Sequence, residues 1–263
     1  MINSMQRAII KKDIRGITAN KQLFTTILIV PLVLTVILPS IFILVIYFVP
    51  EGTSDFQKLL EMLPVAEQTG PLNQNIIKLV MNSIMPVFFL IIPIMASSVM
   101  AASSFVGEKE KSTLETLLYC PLSLRQIFQS KILASFLMSM IVSFTSFLAM
   151  MLVMEIEIVL TTGSMILPSI SWLIIMLLVS PAISLIAITL IVRGSAKAQT
   201  VEEAQQRTVF LVLPVILLVV GQFTGILLVS IWILLGLGVV LSLLAVILIR
   251  GSMGKFSYET ILG

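Results

Sequence analysis

Histidine is absent from this chain, and cysteine occurs once, at Cys120. The first absence excludes imidazole-based metal sites and imidazole acid–base catalysis. The second excludes any intrachain disulfide. Charge is scarce: only 11% of the 263 residues are Asp, Glu, Lys or Arg, against roughly 25% in an average soluble domain. No Gly-x4-Gly-Lys-Ser/Thr pattern occurs, so no nucleotide is held by such a phosphate-cradling loop. The longest hydrophilic stretch, residues 50–78, is too short to fold as a domain of its own. What the chain has instead is apolar surface, 58% of its residues. A water-soluble core cannot absorb that much, so the excess faces lipid or other lipid-facing helices.

The few charges divide the chain. There are 29 uncharged residues between Lys21 and Glu51, 29 between Lys78 and Glu108, and 23 between Lys131 and Glu155. A further 35 lie between Glu157 and Arg193, and 42 between Arg207 and Arg250. A straight helix of 42 residues would be about 63 Å long, twice the ~30 Å hydrocarbon layer. That run therefore holds two spans, turning near Gly221-Gln222-Phe223-Thr224-Gly225. The 35-residue run begins with a loop or short re-entrant piece from Thr161 to Pro168. The chain reads as one all-α integral membrane domain over 1–263, with six transmembrane helices at 22–49, 79–106, 132–154, 170–192, 208–225 and 229–249. The first apolar run is too long for a signal-peptide core and reads as a retained span.

Orientation follows from Lys and Arg. The segment before the first span, the loops after the second and fourth, and the tail carry fourteen of the sixteen basic residues; only Lys58 and Lys78 fall on the other side. With six spans both termini share the basic side, which is expected to be cytoplasmic in a multi-pass cell-membrane protein. Glu51, Asp55, Glu61, Glu67, Glu155 and Glu157 mark the opposite side.

Within residues 1–21, Arg7, Lys11 and Arg15 recur every four residues and share one ridge, with Ile2, Met5 and Ile9 opposite. This pattern predicts an interfacial helix whose basic face meets lipid phosphates or cytosol, with Gly16 bending the chain into the first span. The bilayer itself is thus one expected partner; no nucleic acid is expected. Ala96, Ser97, Ser98, Ala101, Ala102, Ser103 and Ser104 form a small-residue stretch suited to close helix packing. Pro31, Pro39, Pro86, Pro93, Pro181 and Pro214 fall inside spans and kink them.

The loop after the second span reads Gly107-Glu108-Lys109-Glu110-Lys111-Ser112-Thr113-Leu114-Glu115-Thr116-Leu117-Leu118-Tyr119-Cys120-Pro121-Leu122-Ser123. Ser112 with Glu115 is a capping box, and so is Ser123 with Gln126. Between them lies a helix of about two turns over 112–120, with Leu114, Leu117 and Leu118 on one apolar face and Pro121 stopping it. So short a helix needs something to pack against, either the ends of its own spans or a groove on a partner.

This loop resembles the signature loop of type-2 ABC exporter permeases, where it forms the coupling helix that docks on the ATPase subunit. Ser112 stands where the family usually has Gly. The resemblance implies that Glu108, Glu110, Thr113, Leu114, Glu115, Leu117, Leu118 and Pro121 belong to the docking segment. A second stretch, Gly194-Ser195-Ala196-Lys197 with Glu202 and Glu203, looks like the corresponding loop of the sodium-extrusion and drug-export branch, and adds Glu202 and Glu203 as contacts. It further implies an ABC ATPase partner, a second permease chain in a homo- or heterodimer, and ATP with Mg bound by the partner rather than by this chain, which is no enzyme itself. The expected function is outward transport driven by ATP hydrolysed on that separate subunit. An ion-coupled secondary transporter would keep ionisable residues inside its spans, and the uncharged runs offer none. A membrane enzyme lacks any acid–base cluster, while a non-transporting sensor or immunity protein shares the same span pattern.

Overall fold

The computed structural model describes residues 3–48, 71–111, 113, 120–163, 165–195, 198–206, 208–224 and 230–253. All regular structure among them is helical. We number the helices α1 (Ser4–Ala19), α2 (Lys21–Phe48), α3 (Gln74–Glu110), α4 (Leu124–Thr162), α5 (Ile170–Gly194), α6 (Val201–Gln206), α7 (Val209–Phe223) and α8 (Ile231–Met253). Six stretches are long and apolar enough to cross a membrane: α2, α3, α4, α5, the Val201–Phe223 stretch containing α6 and α7, and α8.

The most apolar helices are not the most buried. α3 has 83% of its central window buried and α5 67%, whereas α8 has 17% and α7's stretch 24%. α3 and α5 therefore form the centre, and α2, α7 and α8 leave most of their surface uncovered by the rest of the bundle. α4 lies against α1, α2, α3 and α5, while α8 covers α5. The small residues of α3 explain its central place. Ala96, Ser97, Ala101 and Ala102 are at most 1% exposed and let neighbouring helices approach closely. Gly238 does the same for α8: a Cβ there would lie 2.5 Å from Leu178 Cδ2.

Two of the intraspan prolines follow a change in the helix ladder. Pro86 and Pro181 each follow a π turn, at Val80–Ile84 and Ile175–Val179. Proline has no N–H and crowds the carbonyl four residues earlier, so the ladder slips: Met85 N–H donates to the Val80 carbonyl and Ser180 N–H to that of Ile175. The slip orphans carbonyls in a medium without water. Trp172 Nε1 donates to the Met81 carbonyl at 3.1 Å. Ser169 Oγ reaches the Asn82 carbonyl at 3.5 Å, and Asn82 Oδ1 accepts from Ser169 N–H at 2.8 Å. Phe89 and Phe147 flank Trp172 with ring centroids 5.9 and 5.5 Å away.

Three features depart from the sequence expectation. The chain passes through Gly16 as helix and breaks instead at Asn20, whose Oδ1 accepts from the N–H groups of Gln22 and Leu23 and caps α2. α4 has 39 residues, about 58 Å at 1.5 Å per residue. It begins at the Ser123–Gln126 capping box, with both reciprocal bonds present. It then runs past Glu155 and Glu157 to Gly163, whose φ of 66° ends it in the left-handed region. Finally, α1 lies lengthwise along α4. Gln6 donates to the Gln126 carbonyl, Ile9 packs with Ile127, Asp13 pairs with Lys131, and Ile17 shares a cluster with Met138. Both numbers rise together, so the helices run parallel. The expected short helix over 112–120 lies mostly outside the described residues.

Candidate functional site: a buried charge cluster beneath the loop

The end of the bundle that bears most of the basic residues is built around Lys131. Its position, two turns into α4, points it at the last turns of α3, and its side chain is 3% exposed. Nζ donates to the Ser104 carbonyl at 2.6 Å. It stands 3.0 Å from Glu108 Oε2 and 3.5 Å from Asp13 Oδ2, and 5.6 Å from the Phe105 ring centroid. Asp13 Oδ2 also accepts from Ser104 Oγ at 2.7 Å. Glu108 Oε1 accepts from Lys12 Nζ at 2.7 Å, and Lys12 is the solvent-facing member, 57% exposed. Two cations and two carboxylates thus cancel, as buried charges must.

The cluster ties three elements. α1 contributes Lys12 and Asp13, α3 contributes Ser104 and Glu108, and α4 contributes Lys131. The last two flank the 111–123 loop. Burial pushes the Asp13 carboxyl above its ordinary value, with Lys131 and the Ser104 hydroxyl pulling the other way. Burial alone would lower the Lys12 ammonium, but its hydrogen bond to Glu108 and the nearby carboxylates leave it raised. A cavity of about 250 Å3 bordered by Lys12, Asp13, Ser104 and Glu108 adjoins the cluster, which keeps Lys12 in contact with water.

The residues expected in the docking segment separate into groups. Glu108 is turned inward, 8% exposed. Glu110 is exposed, and its Oε2 accepts from Val201 N–H at 3.4 Å. That contact brings the two loops together, and Gly107 admits the Val201 side chain beside it. Thr113 closes the end of α3, its N–H and Oγ1 both reaching the Glu108 carbonyl at 2.9 and 3.3 Å. Pro121 is exposed in the turn before α4. Glu203 caps the start of α6, accepting from Gln199 N–H at 2.9 Å, while Glu202 is exposed. Leu114, Glu115, Leu117 and Leu118 lie outside the described residues. Arg7, Lys11 and Arg15 are all exposed along the side of α1 that faces away from α4, whereas Gln6, Ile9, Asp13 and Ile17 are buried.

Sequence reasoning did not single out Asp13, read Ser104 only as one of a stretch of small packing residues, and counted Lys12 and Lys131 only toward orientation. The available signal was a lone acid between Lys12 and Arg15, an odd choice in a stretch otherwise selected for positive charge.

Six stretches long and apolar enough to cross a membrane define a multi-pass membrane protein, with two loops joined and a charge cluster at one end. Residues 65–203 match the family model described as ABC-2 family transporter protein. The match spans just over half of the chain and takes in α3, α4, α5 and both loops, so the chain belongs to the ABC-2 transporter family. No curated protein and no solved structure matches it.

Proposed function

We propose that this chain is the permease subunit of an ATP-binding-cassette exporter, paired with a second permease chain and driven by a separate ATPase that docks at the basic, cytoplasmic end. The observation that carries the reading is the joining of the two loops there. Glu110 links the end of α3 to the start of α6, so a partner pressing on 108–122 also bears on Glu202 and Glu203. The Lys131 cluster supports it further. An ATPase that displaced the 112–120 segment would pull on the ends of α3 and α4. Those ends are bolted to α1, and α1 leads into the first span within two residues.

Both termini then lie in the cytoplasm, and substrate leaves at the end marked by Glu155 and Glu157. The uncharged spans suit an apolar or amphipathic substrate. ATP and Mg belong to the partner, whose hydrolysis this chain converts into movement.

The test is purification of the tagged chain from its own membranes in mild detergent, with mass spectrometry of what accompanies it. An ABC-type ATPase is expected, and Leu117→Asp with Leu118→Asp should reduce its recovery at least tenfold. A chain that purifies alone, or a double variant that retains the ATPase, overturns the assignment.

A further inference from the structure

The first turns of α4 carry two opposite faces. One packs on α1 through Ile127, Lys131 and Met138. The other, with Gln129, Ile132, Leu133 and Phe136, walls an open groove of about 240 Å3 that Leu185 of α5 and Ile249 of α8 complete. Apart from Gln129 every side chain lining it is apolar. The groove has a direction. Gln129 and Ile249 lie beside Lys131 and Arg250, the charges that bound the apolar runs of α4 and α8. Phe136 lies about 10 Å deeper along α4, at 1.5 Å per residue, and Leu185 lies about two turns inside Arg193. Arg125 precedes Gln129 by one turn on the same ridge, and Arg250 follows Ile249, so both stand on the charged side of the groove. Both arginines are exposed, and neither has an ionic or hydrogen-bonding partner among the described residues. One turn from Leu133 and from Ile249, Leu137 and Val246 are 41% and 46% exposed, so the groove opens sideways onto the apolar flank of the bundle.

We propose that this groove holds an acyl chain of an anionic phospholipid from the leaflet at the basic end, with the lipid phosphate met by Arg125 and Arg250. The order along the bundle is that of a bilayer lipid: cations at the rim, apolar walls running inward from it. An arginine stem lies along apolar surface while its head stays in the polar layer, and its planar fork suits a phosphate. Charge complementarity selects an anionic headgroup over a neutral one. The walls select an amphiphile over a free anion, because inorganic phosphate would leave them uncovered. The site has a structural consequence. α4 and α8 both pack against α5, and a lipid in the groove between them braces one against the other. This inference rests on the chain crossing a membrane and stands apart from the exporter reading.

The test is native mass spectrometry of the full chain purified from its membranes, titrated with phosphatidylglycerol and with phosphatidylcholine of the same acyl chains. Each cation near an anionic surface contributes about a fivefold preference, so the first phosphatidylglycerol should bind wild type about tenfold or more tighter than the first phosphatidylcholine. Arg125→Gln with Arg250→Gln should remove most of that preference. Arg7→Gln with Lys11→Gln, which removes two exposed cations of α1, should leave it in place. Leu133→Trp, which fills the groove, should weaken binding of both lipids severalfold. Phosphatidylglycerol should also raise the Tm of wild type, as a ligand of the folded state does, and raise that of the arginine double variant less. Excess inorganic phosphate should not displace the lipid. Equal binding of the two lipids by wild type, a double variant that keeps its preference, an unaffected Leu133→Trp, or displacement by inorganic phosphate each overturn the site. So does a double variant that loses a co-purified ATPase while keeping phosphatidylglycerol, which assigns the two arginines to a protein partner instead.

Discussion

The two ends of this bundle solve the same problem with different chemistry. At each end helices stop, bend or are interrupted, and backbone or side-chain polar groups need partners. At the basic end the partners are full charges, with Lys131, Glu108, Asp13 and Lys12 neutralising one another around the Ser104 carbonyl. At the other end they are neutral dipoles: the carbonyls freed by the π turn before Pro86 are met by the Trp172 indole and the Ser169 hydroxyl. The difference follows from surroundings. A charge cluster is affordable where one member, Lys12, reaches water. Where every partner is shut away from water, as Met81 and Trp172 are at 1% exposure, an ion is costly, and an indole supplies one donor with apolar area around it. The ionic end is expected to break hard when one partner is lost, and the neutral end to yield by small steps.

The largest effect should come from Lys131→Met. It leaves Asp13 and Glu108 buried with only Lys12 to offset them, a loss of about 3–5 kcal/mol by analogy with other broken buried pairs. The measurement is thermal unfolding in detergent, with Tm falling sharply. Lys131→Met combined with Asp13→Asn should recover part of the loss, because one stranded charge is removed. If the double variant is no better than the single, the cluster is not acting as a charge-balanced unit.

Next is close packing at the centre. Gly238→Leu drives a side chain into Leu178, which a Cβ alone would approach at 2.5 Å. Overpacking of this kind costs about 1–3 kcal/mol, again read as a lowered Tm. An unchanged Tm would mean that α8 shifts freely on α5. Smaller still is Trp172→Phe, which keeps the aromatic contacts with Phe89 and Phe147 but removes the donor to the Met81 carbonyl. A hydrogen bond inside a membrane averages about 0.6 kcal/mol, so a loss of roughly that size is expected. A drop as large as that of Lys131→Met would erase the contrast between the two ends.

What sequence could reveal was local. Charge spacing located the membrane-crossing stretches, and Ser123 with Gln126 announced the start of α4, because a capping box is a four-residue matter. The reach of α4 past Glu155 was hidden, since a charge near the membrane edge reads as an end although a helix runs on through it. The break at Asn20 was hidden behind Gly16, as backbone freedom is a weaker signal than a side chain that caps the next helix. The π turns were foreshadowed by Pro86 and Pro181 as kinks, but which carbonyls they free depends on how the ladder slips. Least legible was the site itself. Asp13 and Lys131 are 118 positions apart, and nothing in either neighbourhood declares the other. Only the parallel packing of α1 on α4 makes the acid in a basic segment and the lysine at the head of an apolar run into one pair.

The smallest and most specific test concerns the protonation of Asp13. Its folded-state value is raised above the ordinary 3.8, with burial outweighing the opposing pull of Lys131, Ser104 and Lys12 and joined by repulsion from Glu108. The folded protein therefore binds this proton more tightly than the unfolded chain does. Its contribution to stability is fully present below 3.8 and is lost as pH climbs through the raised value, with a slope below about 1.4 kcal/mol per pH unit for a single group. Other carboxylates titrate over the same range, so the informative quantity is the difference between wild type and Asp13→Asn, which cannot lose the proton. Stability measured by denaturation in detergent from pH 4 upward should fall for wild type relative to Asp13→Asn and then level off. The opposite slope would mean that Lys131 holds Asp13 ionised more firmly than burial opposes it. The ionic end would then be a paired clamp already at low pH, rather than one that tightens around a neutral acid.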